Sequence, residues 1–144
     1  MIKQLKRLKS CYEEATRVAR ELVERIKAGD GSLNQADLEK GLEIRAKALL
    51  SAQDLSSLIT GRGGLVRFRN LSADERGKAG RLTAQARSQA QSALEAGAEL
   101  FQLLSAEKLR TMVRLKAARN GQRLMKGYKG FKSASANLSP DLRG

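Results

Sequence analysis

The side chains of this sequence that can do chemistry near neutral pH are carboxylates, amines, guanidinium groups and one thiol, Cys11; histidine is absent. Histidine is the ordinary proton shuttle and the commonest metal ligand, so its absence removes most hydrolytic and metal chemistry. A single cysteine can form neither an intramolecular disulfide nor a thiolate cluster. With no histidine to activate it, Cys11 reads as a small packing residue and not as a nucleophile. Carboxylates stand one helical turn from cations, as in Glu21 with Arg25 and Glu43 with Lys47. That is the spacing of surface ion pairs, not of an acid–base dyad. Gly61-Arg62-Gly63-Gly64 is glycine-rich but lacks both the Gly-Lys-Ser/Thr ending and the preceding strand of a phosphate loop. The reading is of a protein that is not an enzyme, with no cofactor and no metal.

What remains is surface, and the surface has to be carried by helices. Leu5, Leu8, Tyr12, Ala15, Ala19, Leu22 and Ile26 recur at steps of three and four, a seam that keeps one stripe of a helix against a partner. Leu and Ala dominate the apolar set, aromatics are 3 % and there is one proline, Pro140. These are helix-forming choices, and strand-like alternation is missing. A first helix is predicted from Ile2 to Lys27, ending at Ala28-Gly29-Asp30-Gly31-Ser32. A second, capped by Asn34 or Ser32, carries Leu38, Leu42, Leu49, Leu55 and Ile59, with Ile44, Leu50 and Leu58 widening the stripe. Thr60 to Gly64 reads as a turn or hinge, and Leu65, Val66, Phe68 and Leu71 as an extended segment over the bundle.

Ser72-Ala73-Asp74-Glu75 has the pattern of a capping box and should open a long third helix. A run from Ala73 to Lys126 is about twice the length of the first two helices, so it either overhangs the bundle or breaks near Ser105-Ala106-Glu107 and returns as a short fourth helix. The fold class is therefore all-α: an antiparallel bundle of three long helices, occupying residues 1–128, followed by a flexible basic tail over 129–144. No stretch approaches ~18 uncharged apolar residues, which argues against a membrane span. The basic start is interrupted by Glu13, Glu14, Arg17 and Arg20, unlike a secretory signal, and a cytoplasmic location is expected.

The net charge of +13 is uneven: from Ala106 onward ten lysines and arginines face only Glu107 and Asp141. Such a region attracts an acidic partner, nucleic acid or an anionic membrane surface, or simply keeps the protein dissolved. The segment Leu109 to Tyr128 combines this charge with a stripe of Leu109, Met112, Val113, Lys116, Ala117, Asn120 and Leu124, thinner than those of the earlier helices. Methionine repacks around different partners, so the stripe suits docking of an amphipathic helix as well as a place in the core. With Leu100 and Leu104 on the third helix and Tyr128 at the end, these residues other than Ala117 form the candidate partner-binding set. Lys116, Arg119 and Arg123 would steer acidic clients more than hold them. Non-specific binding of nucleic acid through phosphates is the alternative, without helix-turn-helix or zinc spacing behind it. Membrane-surface association through the basic ends is a third reading, and dimerisation through the first helix is left open.

Two short stretches carry a family resemblance. Gly41-Leu42-Glu43-Ile44-Arg45-Ala46-Lys47-Ala48-Leu49-Leu50 resembles the acid, Arg, Leu-Leu stretch in the second helix of small flagellar export chaperones of the FlgN and FliT type. Asn120-Gly121-Gln122-Arg123-Leu124-Met125-Lys126-Gly127-Tyr128 resembles their closing stretch of Gly, basic, apolar, Lys, small and Tyr. The resemblance implies a cytoplasmic bundle that holds a hook-associated, cap or filament subunit unassembled and delivers it to the type III export gate. It also implies that the last helix masks the partner groove, a role that maps loosely to Leu109 through Leu124.

Overall fold

The three-and-four spacing that opens the chain folds as α1, Ile2–Ala28, in a computed structural model describing residues 1–29 and 33–137. Leu5, Leu8, Ala15, Ala19 and Leu22 are buried as the seam requires, Tyr12 and Ile26 are half-buried, and Val18 and Val23 widen the stripe. Thr16 is buried as well, and its hydroxyl donates to the Tyr12 carbonyl at 2.8 Å, which satisfies a group that would otherwise be costly to desolvate. The helix stops at Gly29, whose φ of 63° is left-handed and suits a residue without a Cβ. The remainder of the expected turn, residues 30–32, lies outside the described residues.

Helix α2, Gln35–Thr60, is capped by Asn34, whose side chain accepts from the Asp37 backbone N–H at 2.8 Å. Its seam differs from the leucine stripe read from the sequence. Ala48, Ala52 and Leu55 are the buried positions; Leu38, Leu42, Ile44, Leu49 and Ile59 are half-buried, and Leu50 and Leu58 are exposed. Alanine wins the central positions because small side chains let the helices approach closely, and the larger residues then flank the contact.

The direction of each helix follows from which residues meet. Leu8 packs with Ala52, Leu55 and Ala86, and seven residues later Ala15 packs with Ala48 and Ala93. Moving up α1 thus moves down α2 and up the helix that carries Ala86 and Ala93, which is an antiparallel up-down-up bundle. Polar contacts keep the same register: Arg25 pairs with Asp37 at 2.9 Å, and Lys27 with Glu99.

The segment expected to be extended is helical through Arg69, and the helix begins inside the glycine-rich junction expected to be a turn or hinge. Residues Arg62–Arg69 form α3 after a single break at Gly61, whose φ of −66° and ψ of 168° re-aim the chain. Gly64 is buried there, and a Cβ on it would lie 1.9 Å from the Ile59 carbonyl oxygen. Glycine is therefore needed at this point for close approach of α3 to the end of α2, and not as a hinge.

The capping box forms as its pattern requires. The Ser72 hydroxyl accepts from the Glu75 N–H at 3.2 Å, and the Ser72 N–H donates to the Glu75 carboxylate at 2.9 Å. The helix it opens, α4, runs from Ala73 to Asn137. It is continuous through Ser105-Ala106-Glu107, so the return as a fourth helix does not occur, and it passes Gly127 to Gly130, where a flexible tail was expected to begin. The intervening residues are mostly good helix formers with no proline before Pro140, so propensity alone supplies no stop. Residues 138–144 of the expected tail lie outside the described residues. Two compact units divide the chain, Met1–Leu103 and Leu104–Gly144.

Candidate functional site

Within the first unit, α4 repeats a buried position every seven residues, Ala79, Ala86, Ala93 and Leu100, with Ala96 beside them. This stripe is engaged by α1 and α2. Leu100, at 3 % exposure, belongs to that interior and is not open to a partner, which corrects its place in the candidate set. It shares the seven-residue register of the alanines, and that register is the signal that separates it from the rest. Leu104 is half-buried.

The second unit contrasts with this. Leu109, Met112, Val113, Leu115, Leu124 and Met125 are all more than half exposed, Leu124 at 76 %. Lys116 and Asn120 are exposed with them. Leu109, Met112, Val113, Lys116 and Asn120 converge on one shallow depression of about 510 Å³, which Leu115, Arg119 and Arg123 complete. Leu124 is not part of that depression, and the side chain of Tyr128 lies outside the described ones. Leu115 is the residue that the stripe reading missed. Its signal is the run Met112, Leu115, Lys116, Arg119 and Arg123 at steps of three, one, three and four, a face rotated by about a quarter turn from the one centred on Val113 and Asn120.

The electrostatics of this stretch are one-sided. Between Leu104 and Lys129 the cations run Lys108, Arg110, Arg114, Lys116, Arg119, Arg123, Lys126 and Lys129, against Glu107 alone. That carboxylate accepts from Arg110 at 2.9 Å, so it is already engaged. An apolar floor edged by arginine and lysine can accept a helix that is apolar on one face and acidic on the flanks.

The groups able to do acid–base or nucleophilic chemistry are placed elsewhere and disposed otherwise. Cys11 lies half-buried against the Leu8, Ala52, Leu55 and Ala86 cluster. Burial pushes its thiol up from the ordinary value, Glu14 adds to this, and Arg7 opposes it. That disfavours the reactive thiolate. Glu43 is held below the usual carboxylate value by the hydrogen bond and charge of Lys47, one turn away at 2.7 Å. Among the described residues no group of three or more potential metal ligands comes together, and no helix is long and apolar enough to cross a membrane. Neither a protein-family model, nor a curated protein, nor a solved structure matches the chain.

Proposed function

We propose that this protein is a non-enzymatic cytoplasmic helical chaperone or adaptor that holds an amphipathic helical segment of a client protein, in the manner of the flagellar export chaperones its two short motifs resemble. The observation that carries the reading is the set of four large apolar side chains, Leu109, Met112, Val113 and Leu115, each more than half exposed and together lining one depression edged by cations. Exposed apolar surface of this kind marks an interaction site, and here it has a polar rim. Client affinity comes from burying leucine and methionine area at roughly 25 cal/mol per Å² before association costs, while Lys116, Arg119 and Arg123 speed encounter with acidic flanks. A hook-associated, cap or filament subunit is the client class that the resemblance implies.

The test is capture of purified hook-associated and cap subunits by the full chain in half-molar salt. Met112→Asp with Val113→Asp should abolish capture while leaving helicity unchanged, because two charges enter the middle of the contact. Capture by the double variant at the level of the original chain would reject this surface. The basic run also supports a second reading, non-specific nucleic-acid binding. It predicts instead a duplex affinity that falls steeply with salt and is kept by the uncharged Met112→Ser with Val113→Ser, which would still cost the chaperone its apolar contact.

A further inference from the structure

A second surface, apolar and basic as well, lies in the middle of the sequence on α3. Residues Arg62, Leu65, Val66 and Arg69 stand at i, i+3, i+4 and i+7, so they share one helix face. All four are exposed, Leu65 at 60 % and Val66 at 58 %. Gly64 and Phe68 lie toward the bundle: Gly64 is buried, Phe68, 41 % exposed, lines a cavity of about 260 Å³ with Met1, Leu5, Ile59 and Ala79, and Leu65 borders both that cavity and the outward face. That cavity brings the start of α1 and the first turns of α4 to the same end of the bundle as α3.

This end is densely basic. Lys3, Lys6 and Arg7 are exposed at the start of α1, and Arg76, Lys78 and Arg81 at the start of α4. The carboxylates beside them are Asp74 and Glu75, and Glu75 is engaged by Ser72 in the capping box. Among the described residues none of Arg62, Arg67 and Arg69 makes an ion pair. Val66, and the exposed part of Leu65, therefore face water between Arg62 and Arg69, within a wider field of positive charge.

We propose that the α3 end of the Met1–Leu103 unit docks on an anionic lipid bilayer. A bilayer surface satisfies both halves of the face at once. Leu65 and Val66 enter the boundary between headgroups and acyl chains, and Arg62 and Arg69 extend along the interface to the lipid phosphates. A nucleic acid would engage the arginines and leave Leu65 and Val66 facing water, and the neighbouring aromatic, Phe68, is turned partly into the cavity, so it offers no stacking platform. An acidic protein is the weaker fit for the same face because eight residues of helix present only two apolar anchors.

The experiment is co-sedimentation of the full chain with vesicles of equimolar phosphatidylglycerol and phosphatidylcholine, and with phosphatidylcholine alone, at physiological ionic strength. Binding is expected to the anionic vesicles and to fall about tenfold for Leu65→Asp with Val66→Asp, while Met112→Asp with Val113→Asp leaves it within about twofold. Arg62→Gln with Arg69→Gln, which keeps the packing under α3 intact, should weaken binding in the same direction, and circular dichroism checks that each variant stays helical. Equal binding to neutral vesicles, loss of binding in the Met112 and Val113 variant instead, or binding of duplex DNA that depends on Arg62 and Arg69 alone would each overturn the proposal. Client capture by the Leu65 and Val66 variant stays normal, so failure here and failure of the chaperone reading are told apart.

Discussion

Residues 73–103 and 104–137 belong to the same α-helix and draw on the same residue types, yet they treat apolar side chains in opposite ways. In the first stretch alanine recurs at the seven-residue positions and meets α1 and α2 at 1–4 % exposure. In the second the large apolar side chains from Leu109 to Met125 are Leu, Met and Val, and all six are more than half exposed. Propensity makes helix in both places. The difference lies in side-chain size: alanine serves a close neighbour within the bundle, while under the proposed function leucine and methionine would serve a contact that forms and releases. Leu94 and Phe101 show that the distinction is one of face and not only of segment, since both sit outside the bundle stripe and are exposed.

The contrast breaks or holds most visibly on truncation of one leucine in each region. Leu22, at 4 % exposure, touches the second helix so closely that a Cβ on Gly41 would lie 3.0 Å from it. Leu22→Ala should cost about 2–5 kcal/mol through lost burial and a cavity. Leu124→Ala, on a side chain at 76 % exposure, should stay within about 0.5 kcal/mol. Urea unfolding followed by circular dichroism measures both. A cost for Leu124 comparable to that for Leu22 would mean the 104–137 stretch is packed in solution, and the contrast would collapse.

A smaller effect is expected where glycine, and not alanine, permits close approach. Gly64→Ala sets a methyl group against the backbone carbonyl of Ile59, which cannot swing aside as a flexible side chain would. A loss of roughly 1–3 kcal/mol follows, with α3 displaced. The same substitution at Gly121, where a Cβ would meet nothing within 4 Å, should be neutral or slightly stabilising because alanine is the better helix former. Amide exchange across residues 62–70 separates local release of α3 from global unfolding.

These residues also show what the sequence could disclose. Five of the seven seam positions of α1 were legible as buried, because leucine at three-and-four spacing has one reading on a helix, while the buried Thr16, Val18 and Val23 lay outside that spacing. The capping box was equally legible, since two hydrogen bonds depend on residues three apart. The seam of α2 was not: alanine is both a helix former and a core residue, so Ala48 and Ala52 were hidden behind larger leucines that proved peripheral. Gly61 to Gly64 misled in the other direction. Glycine signals freedom in a sequence, and only the position of the Ile59 carbonyl shows that one of them is there for lack of room. In the 109–125 stretch the apolar residues were visible, but whether they would be covered depends on neighbours that periodicity cannot place. Leu100 was drawn into the candidate set for that reason.

The finest comparison is at the start of α4, where the two long stretches share their one specific cap. Ser72→Ala removes the acceptor for the Glu75 N–H and should cost about 1 kcal/mol. The pH dependence carries a sign that identifies the cap. Glu75 is held below the ordinary carboxylate value of 4.5, first by the Ser72 backbone N–H, then by the Ser72 side chain, with Lys78 adding attraction. A carboxyl whose value is depressed in the folded state contributes stability that is fully present above its unfolded value and is lost as pH falls through the folded one. The unmodified chain should therefore lose a small increment of stability on acidification below 4.5, beyond the losses shared with its other carboxylates. Glu75→Gln keeps an acceptor for the Ser72 N–H but does not titrate, so the difference between the two proteins should shrink to nothing at acid pH and be constant near neutrality. A difference that grows on acidification would place the depressed carboxyl elsewhere and leave α4 without its assigned start.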